Sequence, residues 1–281
     1  MNRFASGSKR HYYGKGDVIV YRLNRAGGAG SGHPLFGASV TLLLYGDAFW
    51  PTYTTGDNTA LIATDSMKNF ILRETLDFDG AGMPDLCRYL ADKFLATYPQ
   101  VEGLQISADE IPYDRLARGI GLAPAGPERA FARVELNRGG FVEATSGLRG
   151  FRLLRVSGSA FKGFVRDQYT TLPDLEDRPL YMWLDLEWRC GAVDAAFDGG
   201  KTTEGVRAIV HDVFETFESG SIQQVIYQMG TRMLEQLPAI SEIHLEANNR
   251  TWDTIAERGD ALGVYTDPRP PYGCLGLRLT R

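Results

Sequence analysis

The residue types that most often carry chemistry are sparse in this sequence and poorly arranged for it. There are four histidines, His11, His33, His211 and His244, and no pair has the spacing of a metal-ligand motif. His211 falls within a helical pattern and His244 within a strand-like one, and both read as ordinary residues of those elements. The three cysteines, Cys87, Cys190 and Cys274, are far apart and odd in number. They are expected to be reduced, mostly buried thiols of a cytoplasmic protein. The run Gly27-Gly28-Ala29-Gly30-Ser31-Gly32 lacks a strand–helix frame, and no Gly-Lys-Ser/Thr follows it. It reads as a hairpin loop rather than a phosphate cradle. The usual routes to metal, nucleotide or haem chemistry are therefore closed, and no metal or cofactor is expected.

Composition narrows the partners. The chain has 281 residues, 43% hydrophobic and 23% charged, with a formal net charge of -5. These values fit a globular protein with a real core. The longest basic stretch, Lys9-Arg10-His11, is too small to track a nucleic-acid backbone. No apolar run is long enough to cross a bilayer. Met1 to Tyr13 has no apolar signal-peptide region, and Leu279-Thr280-Arg281 is not a peroxisomal signal. A cytoplasmic protein without nucleic-acid or membrane partners is expected.

The elements that must position any site recur in two halves. Asp17 to Leu23 and Ala38 to Leu44 are rich in branched apolar residues and predict paired strands joined by the glycine loop. Ser66 to Glu74 predicts a short helix, with Asp65 or Thr64 as its N-cap. A second helix opens at Met83-Pro84-Asp85 and buries Leu86, Leu90, Phe94 and Leu95. Strands follow at Gly103 to Tyr113 and Ala130 to Leu136. In the second half, Phe151 to Ser157 and Pro179 to Trp188 predict strands. Glu204 to Glu218 and Ser221 to Gln236 predict helices with apolar stripes. Ile240 to Glu246 and Gly273 to Leu279 close as strands. The order strand, strand, helix, helix, strand, strand thus occurs twice, dividing the chain at 1–140 and 141–281. An α+β fold follows, with antiparallel sheets and helices on one face of each. Exposed sheet edges favour a homo-oligomer.

Several blocks of this sequence resemble the urate oxidase (uricase) family. They are Tyr13-Gly14-Lys15, Gly56-Asp57-Asn58, Ala63-Thr64-Asp65-Ser66, the segment Phe161 to Leu172 with Asp177-Arg178, and Ser221-Ile222-Gln223 with Tyr227-Gln228-Met229. Weaker similarity runs through Asn248-Asn249-Arg250 and Arg269 to Gly273. The blocks lie in family order and span most of the chain. The resemblance implies tandem tunnelling-fold (T-fold) domains assembled as a homotetramer around a tunnel, with active sites at subunit interfaces. It also implies cofactor-free hydroxylation of urate at C5 by O₂, giving 5-hydroxyisourate and hydrogen peroxide.

The resemblance assigns roles residue by residue, and each role suits its chemistry. An electron-rich urate dianion can reduce oxygen itself, provided the protein deprotonates it, orients it and excludes bulk water. Lys15 resembles the family's base; a lysine drawn into a partly buried site accepts a proton more readily. Thr64 resembles its hydrogen-bonded relay partner, and Asp65 supports the Thr64 loop. Arg178 and Gln223 resemble a clamp on opposite edges of the six-membered ring, one a guanidinium fork, the other an amide with donor and acceptor. Ile222 contributes its backbone N–H beside Arg178, and Phe161 a stacking platform. Asn249 resembles the asparagine that holds oxygen or water above the ring, with Asn248 the alternative one residue away.

One position departs from the family. Urate oxidases carry Asn-Lys-His where this chain has Asn249-Arg250-Thr251, so Thr251 occupies the place of the relay histidine. Threonine can pass a proton but cannot hold one near neutral pH. The recognised alternatives are a urate oxidase with a changed relay, a related oxidase or monooxygenase acting on another purine, pteridine or azaheterocycle, and a non-catalytic purine- or pterin-binding protein. If the lost relay is the only defect, Thr251→His raises urate turnover, measured as the rate of loss of the urate ultraviolet band.

Overall fold

The computed structural model of the protein describes residues 11–25, 34–118, 120–140, 142–259 and 262–281. The glycine run at 27–32 and His33 lie outside them, as do Lys9 and Arg10. The first half builds β1 (Tyr13–Leu23), β2 (Leu35–Tyr45), α1 (Trp50–Thr54), α2 (Thr64–Glu74) and α3 (Met83–Thr97). It continues with β3 (Gly103–Glu110), β4 (Tyr113–Arg115), β5 (Leu122–Pro124) and β6 (Arg129–Asn137). The second half builds β7 (Val142–Arg155), β8 (Leu180–Cys190), α4 (Lys201–Thr216) and α5 (Ile222–Gln236). Last come β9 (Ile240–Thr251), β10 (Thr254–Arg258), β11 (Leu262–Tyr265) and β12 (Arg269–Thr280).

The chain divides into two compact units. One comprises the described residues of Met1–Ser146 with Ala192–Lys201, the other Gly147–Gly191 with Thr202–Arg281. The strand order is β1–β2–β3–β6 in the first and β7–β8–β9–β12 in the second. A small hairpin, β4–β5 in one and β10–β11 in the other, interrupts each half at the same place, between the third and fourth strands of the sheet.

In the first unit the strands are antiparallel, and the register lines up one apolar face. Leu42 stands opposite Ile106, and Ile106 opposite Val134; Leu44, Leu104 and Leu136 form the next row. Leu42, Leu44, Leu104, Ile106 and Val134 are all fully buried, each contributing about 1.5–3 kcal/mol by leaving water. α3 packs against β3 and β6, and α2 against β1. The spacing of Leu86, Leu90 and Phe94 puts them on one stripe of α3, where all three are fully buried. Pro84 fits the first turn of α3, where a missing N–H costs nothing. Beyond its last turn, Arg138 donates to the carbonyl oxygens of Leu95, Tyr98 and Val101. These include carbonyls at the helix end that have no intrahelical donor. In the second unit α5 lies on β9 and β12, and His211 of α4 meets Phe151 of β7 edge to face. Gly230 allows the α5 approach, because a Cβ there would lie 2.7 Å from Leu279.

Several expectations change. The predicted Gly103–Tyr113 strand stops at Glu110, because Pro112 has no N–H for the ladder, and Tyr113 opens β4 instead. Neither Thr64 nor Asp65 is the N-cap of α2: Ala63 is, with no side-chain cap. Thr64 and Asp65 are the first helical residues, and the Asp65 carboxylate is drawn forward to Lys68 and Asn69. The thiols are not mostly buried. Cys87 is, but Cys190 is half-buried and Cys274 exposed, in the exposed first half of β12.

Gly14 permits the close pairing of β1 and β2, since a Cβ there would lie 1.9 Å from the Leu42 carbonyl oxygen. Gly14→Ala forces the strands apart and is expected to cost about 1–3 kcal/mol, read as a lower midpoint in urea denaturation.

Candidate active site

In the first unit, Lys15, Thr64 and Asp65 come together through two neighbouring segments. Tyr13 is fixed at the start of β1 by edge-to-face packing on Phe49, ring centroids 5.0 Å apart. Its hydroxyl accepts a hydrogen bond from the Ile62 N–H at 3.0 Å. That bond ties the strand two residues before Lys15 to the loop two residues before Thr64. Burial raises the Tyr13 pKa above its ordinary value, with the Ile62 bond opposing, so the phenol stays neutral. The loop is shaped by Asp57, whose carboxylate accepts from the Thr59 N–H at 3.0 Å and the Thr59 hydroxyl at 2.6 Å. α2 is then pinned by Met67 and Ile71, both fully buried. Asp65 pairs with Lys68 at 2.6 Å and accepts from the Asn69 amide at 2.9 Å. Lys68 first, and then the Asn69 bond and the Lys15 charge, hold its carboxyl below the usual carboxylate range.

A bulge in β1 decides which way Lys15 points. Lys15 stands opposite Leu42 and Val18 opposite Val40, so β1 advances three residues where β2 advances two. Side chains directly opposite share a face of the sheet. Lys15 and Val18 therefore both lie on the face of the buried Leu42 and Val40, the face that α2 covers. Unbroken alternation would have put Lys15 on the same side as the exposed Ile19, away from α2.

In the second unit, three segments carrying Phe161, Arg178 and Gln223 are tied by short ladders. Phe161 bridges Leu175 antiparallel, exchanging backbone hydrogen bonds of 2.8 and 2.9 Å. On the other side Ser159 bridges Ser219 in parallel. The Asp177 carboxylate fastens the corner by accepting from the N–H groups of Gly158 and Ser159, at 2.7 and 3.1 Å. Arg178 follows Asp177 directly, and its guanidinium lies 5.4 Å over the Phe161 ring. Phe161 also stacks on Phe164, centroids 5.0 Å apart. Four residues beyond Ser219, Gln223 is an exposed residue in the first turn of α5. The Ser221 hydroxyl caps that turn by accepting from the Gln224 N–H at 3.2 Å, while the Gln224 side chain accepts from Gly220 at 2.8 Å. Ile222 is buried by its side chain, and its N–H, at the first helical position, has no intrahelical acceptor.

Arg178 and Asn249 line one cavity of about 850 Å³ in this unit. Asn248, with the opposite pleat, is not among its walls. The Arg178 Nε is buried without a hydrogen-bond partner, and burial lowers the guanidinium below its ordinary value, though it stays charged near neutral pH. Phe161 lies under Arg178, and neither it nor Ile222 nor Gln223 is among the cavity walls. Thr251 ends β9, its backbone opposite Arg269.

Sequence reasoning missed the aromatic wall. Trp252 lies between Tyr181 and Tyr265, centroids 5.6 and 5.1 Å away, and its Nε1 is buried without a partner. Arg250 also lines the cavity, its guanidinium 3.8 Å from the Trp183 centroid and 4.0 Å from that of Tyr272. Arg250 and Tyr272 lie within the weaker family blocks and Trp252 directly after the Asn249–Thr251 run; Tyr265, on β11, had no such signal. Among the described residues no three His, Cys, Asp or Glu side chains converge as a metal-ligand set, and no helix is long and apolar enough to cross a membrane.

The uricase family model matches residues 11–137 and 144–274. The chain belongs to the uricase family. It is 36% identical to the uricase of Haloferax volcanii, over 93% of this chain and 95% of that one. It is also 36% identical to the uric acid degradation bifunctional protein of Bacillus sp. TB-90, over 93% of its own length but only 58% of that protein's. Among solved structures it resembles urate oxidase from Bacillus sp. TB-90, with a TM-score of 0.85 at 34% identity, covering 96% of this chain and 100% of that one. A uricase from Bacillus fastidious superposes with a TM-score of 0.87 at 34% identity, covering 98% and 94%. The α+β tandem tunnelling fold of this uricase-family chain thus matches its solved relatives, both in its antiparallel sheets and in the helices packed on them.

The depressed pKa of Asp65 has a signed consequence. A carboxylate whose folded pKa lies below its unfolded value of about 4 stabilises the fold above that value, and the effect is lost as pH falls through the folded pKa. Wild type is therefore expected to melt above Asp65→Asn at pH 7. The gap should close toward the acid end of a calorimetric series from pH 7 downward.

Proposed function

We propose that this chain oxidises urate with O₂ and water to 5-hydroxyisourate and hydrogen peroxide, using no cofactor. The observation that carries the reading is the Arg178 guanidinium, half-buried, unpartnered at Nε and lying over Phe161 in a cavity shared with Asn249. A desolvated guanidinium with an open donor suits a planar ligand offering a carbonyl and a ring nitrogen on one edge. In this reading Arg178 and the Ile222 N–H hold that edge, Gln223 the opposite edge, and Phe161 the ring face. Asn249 holds oxygen or water above the plane.

Lys15 removes the proton that makes urate an electron-rich dianion, Thr64 relays it, and Asp65 braces the α2 turn carrying Thr64. Two electrons pass from the dianion to O₂, which leaves as peroxide, and a water oxygen ends on C5. Thr251 passes a proton at the position where the family has histidine. The Lys15 group belongs to the first unit and the Arg178 group to the second. We assign them to different copies of the chain within a homotetramer, each site completed by a neighbour. The exposure of Thr64, Asp65 and Gln223 in the single chain supports this assignment.

The test is to mix the protein with urate with and without oxygen while following the urate ultraviolet band and peroxide. Loss of the band with equimolar peroxide, only when oxygen is present, is expected. No reaction with urate but oxygen uptake with another purine or pteridine would replace the substrate; tight binding without either would leave a binding protein. Lys15→Ala and Thr64→Ala are expected to lower kcat by about 10²–10⁴-fold with little change in substrate affinity. Arg178→Ala or Gln223→Ala should first weaken binding, by about 10–100-fold for the arginine, measured by titration without oxygen.

A further inference from the structure

The residue that turns Lys15 toward α2 has no part in the chemistry above. We propose that Asp17 is a positioning residue for Lys15: it holds the one-residue bulge of β1 that puts the lysine on the helix-bearing face. The inference rests on the reading of Lys15 as the base.

Asp17 has φ of 56°, the sole positive value outside glycine among the described residues. The left-handed region is costly for a residue with a Cβ, and such strain persists only where the surroundings hold it in place. Here two residues of β2 do so. The Ser39 hydroxyl donates to the Asp17 carboxylate at 2.9 Å, and the Asp17 N–H donates to the Thr41 hydroxyl at 3.4 Å. Gly16, the other residue of the bulge, shows no such demand: a Cβ there would come no nearer than 3.6 Å to Thr41. The unusual backbone geometry is thus concentrated at Asp17. Aspartate tolerates this region better than most residues because its short side chain bonds locally. Without the bulge the pleat would carry Lys15 to the far face, away from Asp65, whose carboxyl is held down in part by the Lys15 charge.

The test combines Asp17→Gly, Asp17→Ala and Asp17→Val with Lys15 or Lys15→Ala, using oxygen uptake with urate and melting by circular dichroism. Glycine accepts positive φ, so Asp17→Gly is expected to keep most of the turnover. Asp17→Val should lower kcat by about 10–100-fold, with KM changed less than about twofold, since misplacing a reacting group by about 1 Å costs on this scale. In the Lys15→Ala background Asp17→Val should have no further effect, as expected for two residues acting through one group. If the valine variant does not fold, Asp17→Ala carries the same comparison with a smaller loss. Wild-type kcat in both Asp17→Ala and Asp17→Val overturns the proposal. So does an equal fold-loss with and without Lys15, which marks a general effect on the fold. Wild-type turnover in Lys15→Ala alone overturns the assignment of the base, whereas a slow Lys15→Ala beside unaffected Asp17 variants overturns only the positioning role.

Discussion

A half-buried guanidinium whose buried Nε has no partner is the constraint around which the second unit is arranged. Leaving such a donor unmatched costs stability, by about 1–3 kcal/mol or more for a charged group. The fold tolerates that cost because the segment holding Arg178 cannot easily move away. Phe161 pairs with Leu175, Ser159 with Ser219, and the Asp177 carboxylate closes the corner between them. The same ladders fix the first turn of α5 relative to the arginine, so Ile222 and Gln223 inherit their placement from the braces that confine Arg178. A planar acceptor entering the cavity would recover the missing hydrogen bond. In the proposed reading, the unmatched donor that costs the free protein stability is the one a ligand satisfies.

The first unit solves a different problem. A strand has only two faces, and a residue's face is fixed by parity. Tyr13 and Lys15 must look toward the helices for the Ile62 bond to form and for the Lys15 charge to act on Asp65, yet Val18 and Val20 must also look inward to fill the core. Both demands cannot be met by a regular strand. One additional residue in β1 reconciles them, at the cost of unusual backbone geometry at Asp17.

This contrast explains what could be read from the amino acids. The branched runs of β1, β2 and β8 and the 3.6-residue stripes of α3 and α5 announce themselves, because burial imposes a period. The duplicated order of elements was visible for the same reason. β4, β5, β10 and β11 were not, since strands of three to five residues carry no usable period. The bulge was equally hidden: reading the alternation at 13–20 straight through places Lys15 beside Asp17 and Ile19, on the wrong side. At the candidate site, Lys15, Thr64, Arg178 and Asn249 follow from family likeness and Trp252 lies next to one of those blocks, while Tyr265 comes from a four-residue strand with no usable period. The N-cap of α2 was misplaced because the extended Ala63 precedes residues that would cap well in isolation.

The hairpins that interrupt both halves at the same point have a consequence of their own. β10–β11 furnishes Thr254, Glu257, Leu262 and Tyr265 to the cavity that holds Arg178. β4–β5 leaves its sheet at the equivalent junction and contributes nothing to that cavity. Neither excursion interrupts the ladder pairing of the strands that flank it, β3 with β6 and β9 with β12, beyond the irregular stretch at Arg269–Gly273. A chain built this way can redraw one wall of its pocket by rewriting one short excursion, while the Arg178 corner and the frame of both sheets stay as they are.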